Sequence, residues 1–69
     1  MKTYQFIKIC DSDLYKNQKI FITKKDGKEI EVEFLKRDGM YMLFKKENYN
    51  ADIFFNKIKS IRTEYKTLY

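Results

Sequence analysis

The sequence contains no histidine, tryptophan or proline, and it has one cysteine and two glycines in 69 residues. Without histidine, the chain lacks the side chain that ordinarily acts as a general base near neutral pH. A single cysteine cannot form an internal disulfide, and a zinc site of the usual cysteine and histidine type is excluded as well. We therefore expect a protein that is not an enzyme and that binds no metal or cofactor.

Long apolar runs are also missing. No segment approaches the roughly 18 apolar residues of a membrane-spanning helix, and residues 1–8 (MKTYQFIK) lack the apolar stretch of a signal peptide. These absences predict a cytoplasmic protein without a membrane partner, and nothing indicates a small-molecule substrate. A hydrophobic fraction of 43% is too high for a disordered tail, so we expect one small domain over residues 1–69 with a marginal core.

The charges that are present are mostly positive. Lysine and arginine number 15 against 10 aspartates and glutamates, for a net charge of +5. Such a surplus favours an anionic partner, although it also serves solubility. Only two of the basic residues are arginines, Arg37 and Arg62. Because base readout in nucleic acids prefers arginine, the charge alone does not select nucleic acid as the partner.

Two Asp-Gly turns, at residues 26–27 and 38–39, separate segments in which apolar and polar residues alternate. This alternation is the pattern of half-buried strands. Strands are predicted at about 4–10, 18–25, 28–36, 40–46 and 51–55. The sequence thus predicts a meander of short antiparallel strands.

The register of the meander follows from its hydrophobic residues. A three-residue loop ending in glycine at each turn pairs Ile22 with Ile30 at the first turn and Phe34 with Met42 at the second. Both loops then agree on one core face, which consists of Ile20, Ile22, Ile30, Val32, Phe34, Met42 and Phe44. The opposite face should carry the cross-strand charge pairs Lys19–Glu33 and Glu31–Lys45.

Four large apolar side chains also fall on that opposite face: Phe21, Leu35, Tyr41 and Leu43. One interpretation is that the N-terminal strand or a bend of the sheet covers them. The other is that they form an exposed patch that binds a protein partner or a second copy of the chain.

The last third of the chain permits two structures. Phe54, Ile58, Ile61, Tyr65 and Leu68 have the spacing of an amphipathic helix over about 51–68. The same region also alternates as two strands, one at about 51–55 and one from Ile61 towards Tyr69, joined by a short helical turn near residues 56–58. Its β-branched and aromatic residues favour the strands.

Residues 27–34 (GKEIEVEF), 38–43 (DGMYML) and 53–61 (IFFNKIKSI) resemble the strand plan of small Sm-like and Src-homology-type β-barrels. In the Sm-like plan a last strand follows one tight turn and closes the barrel. The resemblance, over about residues 18–65, implies an all-β fold, a small antiparallel meander closing into a five-stranded barrel. The positions that bind RNA in Sm proteins are not matched, since Met42 stands where those proteins have asparagine. The alternative fold is α+β, an antiparallel sheet followed by the helix at 51–68.

Two binding functions are consistent with this sequence. The first is a protein-interaction module acting through Phe21, Leu35, Tyr41 and Leu43 or through self-association, for example as an accessory regulator or inhibitor encoded by a mobile element. The second is a single-stranded nucleic-acid-binding protein with a lysine-rich surface and tyrosine stacking. Its candidate residues are Lys24, Lys25, Lys36, Arg37, Lys45, Lys46 and Tyr49.

Overall fold

The computed structural model describes all residues from Met1 to Tyr69. Helix α1 (Thr3–Lys8) continues into a π-helical turn (Ile9–Asp13), and a 3-10 turn (Phe55–Lys57) precedes the last strand. The strands are β1 (Lys19–Lys24), β2 (Glu29–Asp38), β3 (Tyr41–Lys46), β4 (Tyr49–Phe54) and β5 (Ile58–Arg62).

The five strands form one antiparallel sheet in the order β4-β3-β2-β1-β5. The predicted antiparallel β-rich fold is confirmed. Strands β4 and β5 are the two edges of the sheet, and each is paired with only one neighbouring strand. None of the helices is long and apolar enough to cross a membrane.

The N-terminal segment is the first departure from the sequence-based prediction, because residues 4–10 form a helix and not a strand. Four of its side chains are buried: Phe6, Ile9, Cys10 and Leu14. Their spacing of three, one and four residues is that of one helix face, and it outweighs the short alternation that predicted a strand. This face packs into the main core of the sheet, so the segment does not cover the apolar residues of the opposite face.

The hairpin between β1 and β2 has the predicted register. Ile22 lies opposite Ile30, and Ile20 lies opposite Val32. Gly27 has a φ of +90°, a left-handed conformation that other residues rarely adopt. The Asp26 carboxylate accepts a 2.9 Å hydrogen bond from the Lys28 backbone N–H and so secures the turn.

The predicted register of the second hairpin is wrong. Asp38 lies opposite Tyr41, so the connection is a two-residue turn, and Phe34 lies opposite Phe44 and not Met42. If the pairing continued from this two-residue turn without a bulge, Phe34 would lie opposite Lys45. A bulge at Leu35 inserts one extra residue and returns Phe34 to the core side.

The bulge changes which charges face each other. Lys45 lies opposite Glu33, whereas the prediction had placed it opposite Glu31. Lys19 does lie opposite Glu33, as predicted, but its ammonium group pairs with Glu64 at 2.8 Å and with Glu31 at 3.9 Å. The predicted core face is otherwise confirmed, since six of its seven residues are buried and Ile30 is half-buried.

The alternative C-terminal helix over 51–68 is wrong. This region forms β4, the 3-10 turn and β5, and Ile58 and Ile61 are fully buried. Strand β5 ends at Arg62, earlier than the predicted alternation through Tyr69. Residues 63–69, here called the return segment, fold back along β5. Leu68 N–H donates to the Ile61 carbonyl at 2.8 Å, and Ile61 N–H donates to the Tyr69 carbonyl at 3.0 Å.

A salt bridge ties the N-terminal helical segment to β2. The Arg37 Nε and Nη2 atoms donate to the Asp11 carboxylate at 2.9 and 2.8 Å, and Nη1 donates to the Gly39 carbonyl at 2.9 Å. The hydrogen bond from Arg37 holds the pKa of Asp11 below its ordinary value. Because the folded-state pKa is the lower one, the pair stabilises the fold above the unfolded-state pKa, and this stabilisation is lost as the pH falls through the folded-state pKa.

We therefore expect Asp11→Asn to lower the urea midpoint at pH 6 and to have a smaller effect at pH 2.5, because protonation of the wild-type carboxyl removes the ion pair as the pH falls. Parallel urea unfolding curves of the two proteins at both pH values measure this difference. Asp13→Asn is the control, since Asp13 makes no ion pair. An Asp11→Asn effect that is equal at both pH values contradicts the assignment.

Candidate functional site

The four predicted partner-binding residues do not form a single patch. The Phe21 ring is covered by the Arg62 guanidinium, which lies 4.1 Å from the ring centroid. Arg62 is in turn held by hydrogen bonds of 3.1 and 3.2 Å to the Glu29 carboxylate. Since its ring already packs under Arg62, Phe21 does not belong with the other three.

Leu35, Tyr41 and Leu43 lie together on the outer face of the sheet, and Phe54 joins them from β4. Tyr41 lies directly opposite Phe54, with the two ring centroids 5.0 Å apart. Leu35 and Leu43 line a shallow hollow of about 420 Å³ with Lys16, Lys36 and Asn50. We call Leu35, Tyr41, Leu43 and Phe54 the outer patch. Sequence reasoning missed Phe54 because the helix interpretation had placed it on a buried stripe.

The outer patch lies beside an open strand edge. Phe55 N–H donates to the Met40 carbonyl at 2.9 Å. This bond shows which residues of β4 direct their backbone groups towards β3. In an antiparallel ladder alternate residues direct their backbone groups towards the neighbouring strand. The N–H and C=O groups of Asn50, Asp52 and Phe54 therefore point away from β3, towards the free edge of the sheet.

The other edge is occupied by the chain itself. Ile61 of β5 exchanges hydrogen bonds with Leu68 and Tyr69 of the return segment, and Thr63 N–H donates to the Lys66 carbonyl at 2.8 Å. The Thr63 hydroxyl adds bonds to the backbone of the same loop, with the N–H groups of Tyr65 and Lys66 each donating at 3.1 Å. The two edges of the sheet are thus unequal: β5 is covered in part, and β4 is open.

Basic side chains surround the outer patch. Lys16 and Lys36 line its hollow, and Lys45 lies on the same face of β3. None of the three makes an ion pair, in contrast to Lys19, Arg37 and Arg62. An unneutralised positive rim favours an occupant that carries acidic groups.

The seven candidate nucleic-acid residues are divided between separate places. Lys24, Lys46 and Tyr49 line one cleft, which Lys25 borders from the adjoining hollow. Lys36 belongs to the surroundings of the outer patch, and Lys45 to the outer face. Arg37 is engaged by Asp11 and Gly39. The structure therefore does not form one continuous basic surface from the predicted set.

No protein-family model, curated protein or solved structure matches this chain.

The only cysteine is not an activated thiol. Cys10 is buried, and this burial, together with the neighbouring Asp11 carboxylate, raises the pKa of its thiol to about 12. Since the thiolate is the nucleophilic form, the side chain serves as a small core residue. Free backbone donors and acceptors, apolar side chains and lysines make up the surface chemistry around β4, and these groups suit binding.

Proposed function

We propose that this protein is a protein-interaction module that binds an extended segment of a partner protein along β4. The observation that carries the proposal is the open β4 edge, with the outward backbone groups of Asn50, Asp52 and Phe54 beside the outer patch. An exposed edge is a ready template for strand addition, and the added strand gains its affinity from main-chain hydrogen bonds. Such a module acts by occupying its partner, as an accessory regulator or an inhibitor does.

The outer patch supplies the selectivity for apolar residues. Side chains of an added strand point alternately to the two faces of the sheet, so every second residue would lie on the outer face beside Phe54 and Tyr41. Burying a large apolar side chain there contributes about 1.5–3 kcal/mol. Strand addition would thus cover Phe54, which is half-buried in the free protein.

The surrounding lysines select the charge of the partner segment. Lys16 and Lys36 make no ion pair within the chain, and Lys45 lies opposite Glu33 without forming one, so acidic residues in the added segment would pair with these lysines. The expected partner is an extended segment in which every second residue, on the outer face, is either apolar or acidic.

We propose that the sheet has the architecture of an Sm-like barrel that is left open between β4 and β5. Asp52 and Ile53 of β4 line the same hollow as Lys57, which directly precedes β5. The two edges of the sheet thus approach a common space, which supports strong curling of the sheet.

Hydrogen exchange with a model peptide tests strand addition. An octapeptide of the sequence Val-Thr-Glu-Thr-Val-Thr-Glu-Thr, which places valines and glutamates on the same face, is expected to slow exchange of the Asn50, Asp52 and Phe54 amides by about tenfold or more when bound, because these N–H groups gain acceptors. Amide exchange followed by NMR, with and without peptide, gives the result residue by residue.

Asp52→Pro and Asp52→Asn form a matched pair of variants for this experiment. Proline removes the outward N–H of residue 52 without removing a bond to β3, so it should abolish peptide binding. Asparagine keeps the N–H and should leave binding intact. Unchanged exchange at all three amides contradicts strand addition at β4. If the same amides are protected in a dimer without peptide, the edge belongs to a second copy.

A further inference from the structure

A cleft lies at the end of the sheet between the turn joining β1 to β2 and the turn joining β3 to β4. It consists of two adjoining hollows of about 580 and 480 Å³, both lined by Lys24, Ile30 and Phe44. Ala51 and Ile53 of β4 extend the apolar floor. The cleft has the size of a small-molecule site, which is about 300–1,000 Å³.

The charged strand side chains that lie on the core face at this cleft are lysines, because successive side chains alternate between the two faces of a strand. Lys24 lies on the same face of β1 as buried Ile20 and Ile22, and Lys46 lies on the same face of β3 as buried Met42 and Phe44. Both lysines are half-buried. Lys28, two residues before Ile30, lines the cleft from the third side. Three lysines thus lie at this end of the core face of the sheet.

The carboxylates at the cleft are largely engaged with other groups. Glu29 is bound by Arg62 at 3.1 Å, Glu31 lies 3.9 Å from Lys19, and the Asp26 carboxylate accepts from the Lys28 backbone. Asp52 also lines one hollow, although it lies opposite Leu43 on the outer side of β4, and Glu47 lines the other.

The lysines themselves are poorly neutralised. Lys24 and Lys28 make no ion pair, and Lys46 has only a 4.0 Å contact with exposed Glu47. Above its apolar floor the cleft therefore presents two ammonium groups that make no ion pair, those of Lys24 and Lys28.

We propose that this cleft binds a small organic anion with an apolar body. The apolar body would lie on Ile30, Phe44 and Ala51, and Lys24, Lys28 and Lys46 would hold a phosphate or carboxylate group at the rim. Charge complementarity selects the anion, and the floor selects the apolar body. This site uses the inner face of the sheet and does not depend on strand addition at the β4 edge.

Three probes separate the contribution of the negative charge from that of the apolar body. We expect octyl phosphate to bind at least tenfold more tightly than inorganic phosphate, which has no apolar body, and than octan-1-ol, which has no charge. Titration of isotope-labelled protein followed by NMR measures each affinity and locates the site by the shifts of Ile30 and Ala51. Inorganic phosphate binding as tightly as octyl phosphate overturns the proposal.

Lysine variants test the rim. Lys24→Gln and Lys46→Gln should each weaken octyl phosphate binding about tenfold, because each removes a charged donor. Lys59→Gln is the matched control, since Lys59 is exposed on β5 and does not line the cleft, and it should bind as the wild type does. Equal losses in all three variants mean that octyl phosphate responds to net charge alone, which overturns the site.

A variant in the apolar floor tests whether the affinity depends on more than the number of positive charges. Ala51→Leu keeps every lysine and adds bulk to the floor, so it should lower the affinity for octyl phosphate while leaving that for inorganic phosphate unchanged. Thermal unfolding confirms that each variant remains folded. A single-stranded oligonucleotide that binds the same residues more tightly than octyl phosphate would assign the cleft to nucleic acid and overturn the proposal.

Discussion

Phe6→Ala is expected to lower the free energy of unfolding by about 3–5 kcal/mol, the usual cost of truncating a buried phenylalanine. Phe6 is fully buried, and its ring centroid lies 5.8 Å from that of Phe55 in the turn before β5. The side chain therefore joins the N-terminal helix to the far end of the chain. Its removal would leave a cavity where α1 closes the core.

The size of this effect matters because the domain is small. A chain of this length has a total stability of about 3–10 kcal/mol, so Phe6→Ala should remove a large part of it. Phe6→Leu is expected to cost about 1 kcal/mol and keeps the protein measurable. Urea unfolding followed by circular dichroism gives both values.

Tyr4→Ala is the control for the helix assignment. Tyr4 is 66% exposed, although the predicted strand would have placed it on the same face as Phe6. We expect its replacement to change the unfolding free energy by less than about 0.5 kcal/mol. Equal destabilisation by Tyr4→Ala and Phe6→Ala would contradict a helix with one buried face.

Deleting residues 64–69 is expected to destabilise the protein by about 2–4 kcal/mol. The deletion removes the half-buried Leu68 side chain, which packs against the core, and the backbone bonds that Leu68 and Tyr69 make with Ile61. Apolar burial of this extent contributes about 1–2 kcal/mol, and each hydrogen bond contributes about 1 kcal/mol net. The loss of Glu64 also frees Lys19.

The same deletion should promote association. It exposes the backbone groups of Ile61 on β5, so both edges of the sheet become open templates for pairing. Thermal unfolding and sedimentation velocity over a range of concentrations measure the two effects together.

Tyr65→Ala is the control for the deletion, because Tyr65 is 91% exposed and should be neutral in both measurements. A truncated protein that is as stable and as monomeric as the wild type would show that the return segment contributes nothing to β5.

Part of the candidate site followed from the sequence. Alternation around the second turn placed Leu35, Tyr41 and Leu43 together on the outer face, and the structure confirms this face. Phe21 lies on the predicted face and is half-buried as Leu35 and Leu43 are, but its ring lies under the Arg62 guanidinium. Its contact with Arg62 depends on the pairing of β1 with β5, two strands that are far apart in the chain.

The cleft between the two turns, in contrast, could not be assembled from the sequence. Lys24, Lys25, Lys46 and Tyr49 were chosen for their charge or aromaticity, and the structure brings them to one end of the sheet. Lys28 and Lys57 carried no distinguishing signal, since exposed lysines are frequent throughout this sequence. Only the assembled sheet, which places the ends of β1 and β3 and the turn before β5 around the same two hollows, brings these residues together.

The sequence by itself determined the antiparallel meander, the first hairpin with its register, and the core face from Ile20 to Phe44. These are local properties, because a two-residue period and a glycine with positive φ act over neighbouring residues. Only the tertiary structure decided that residues 3–13 are helical, that Leu35 forms a bulge, and that the return segment covers β5 while β4 stays open. Each of these depends on contacts between distant parts of the chain, and such contacts override weak local patterns when they bury more apolar surface.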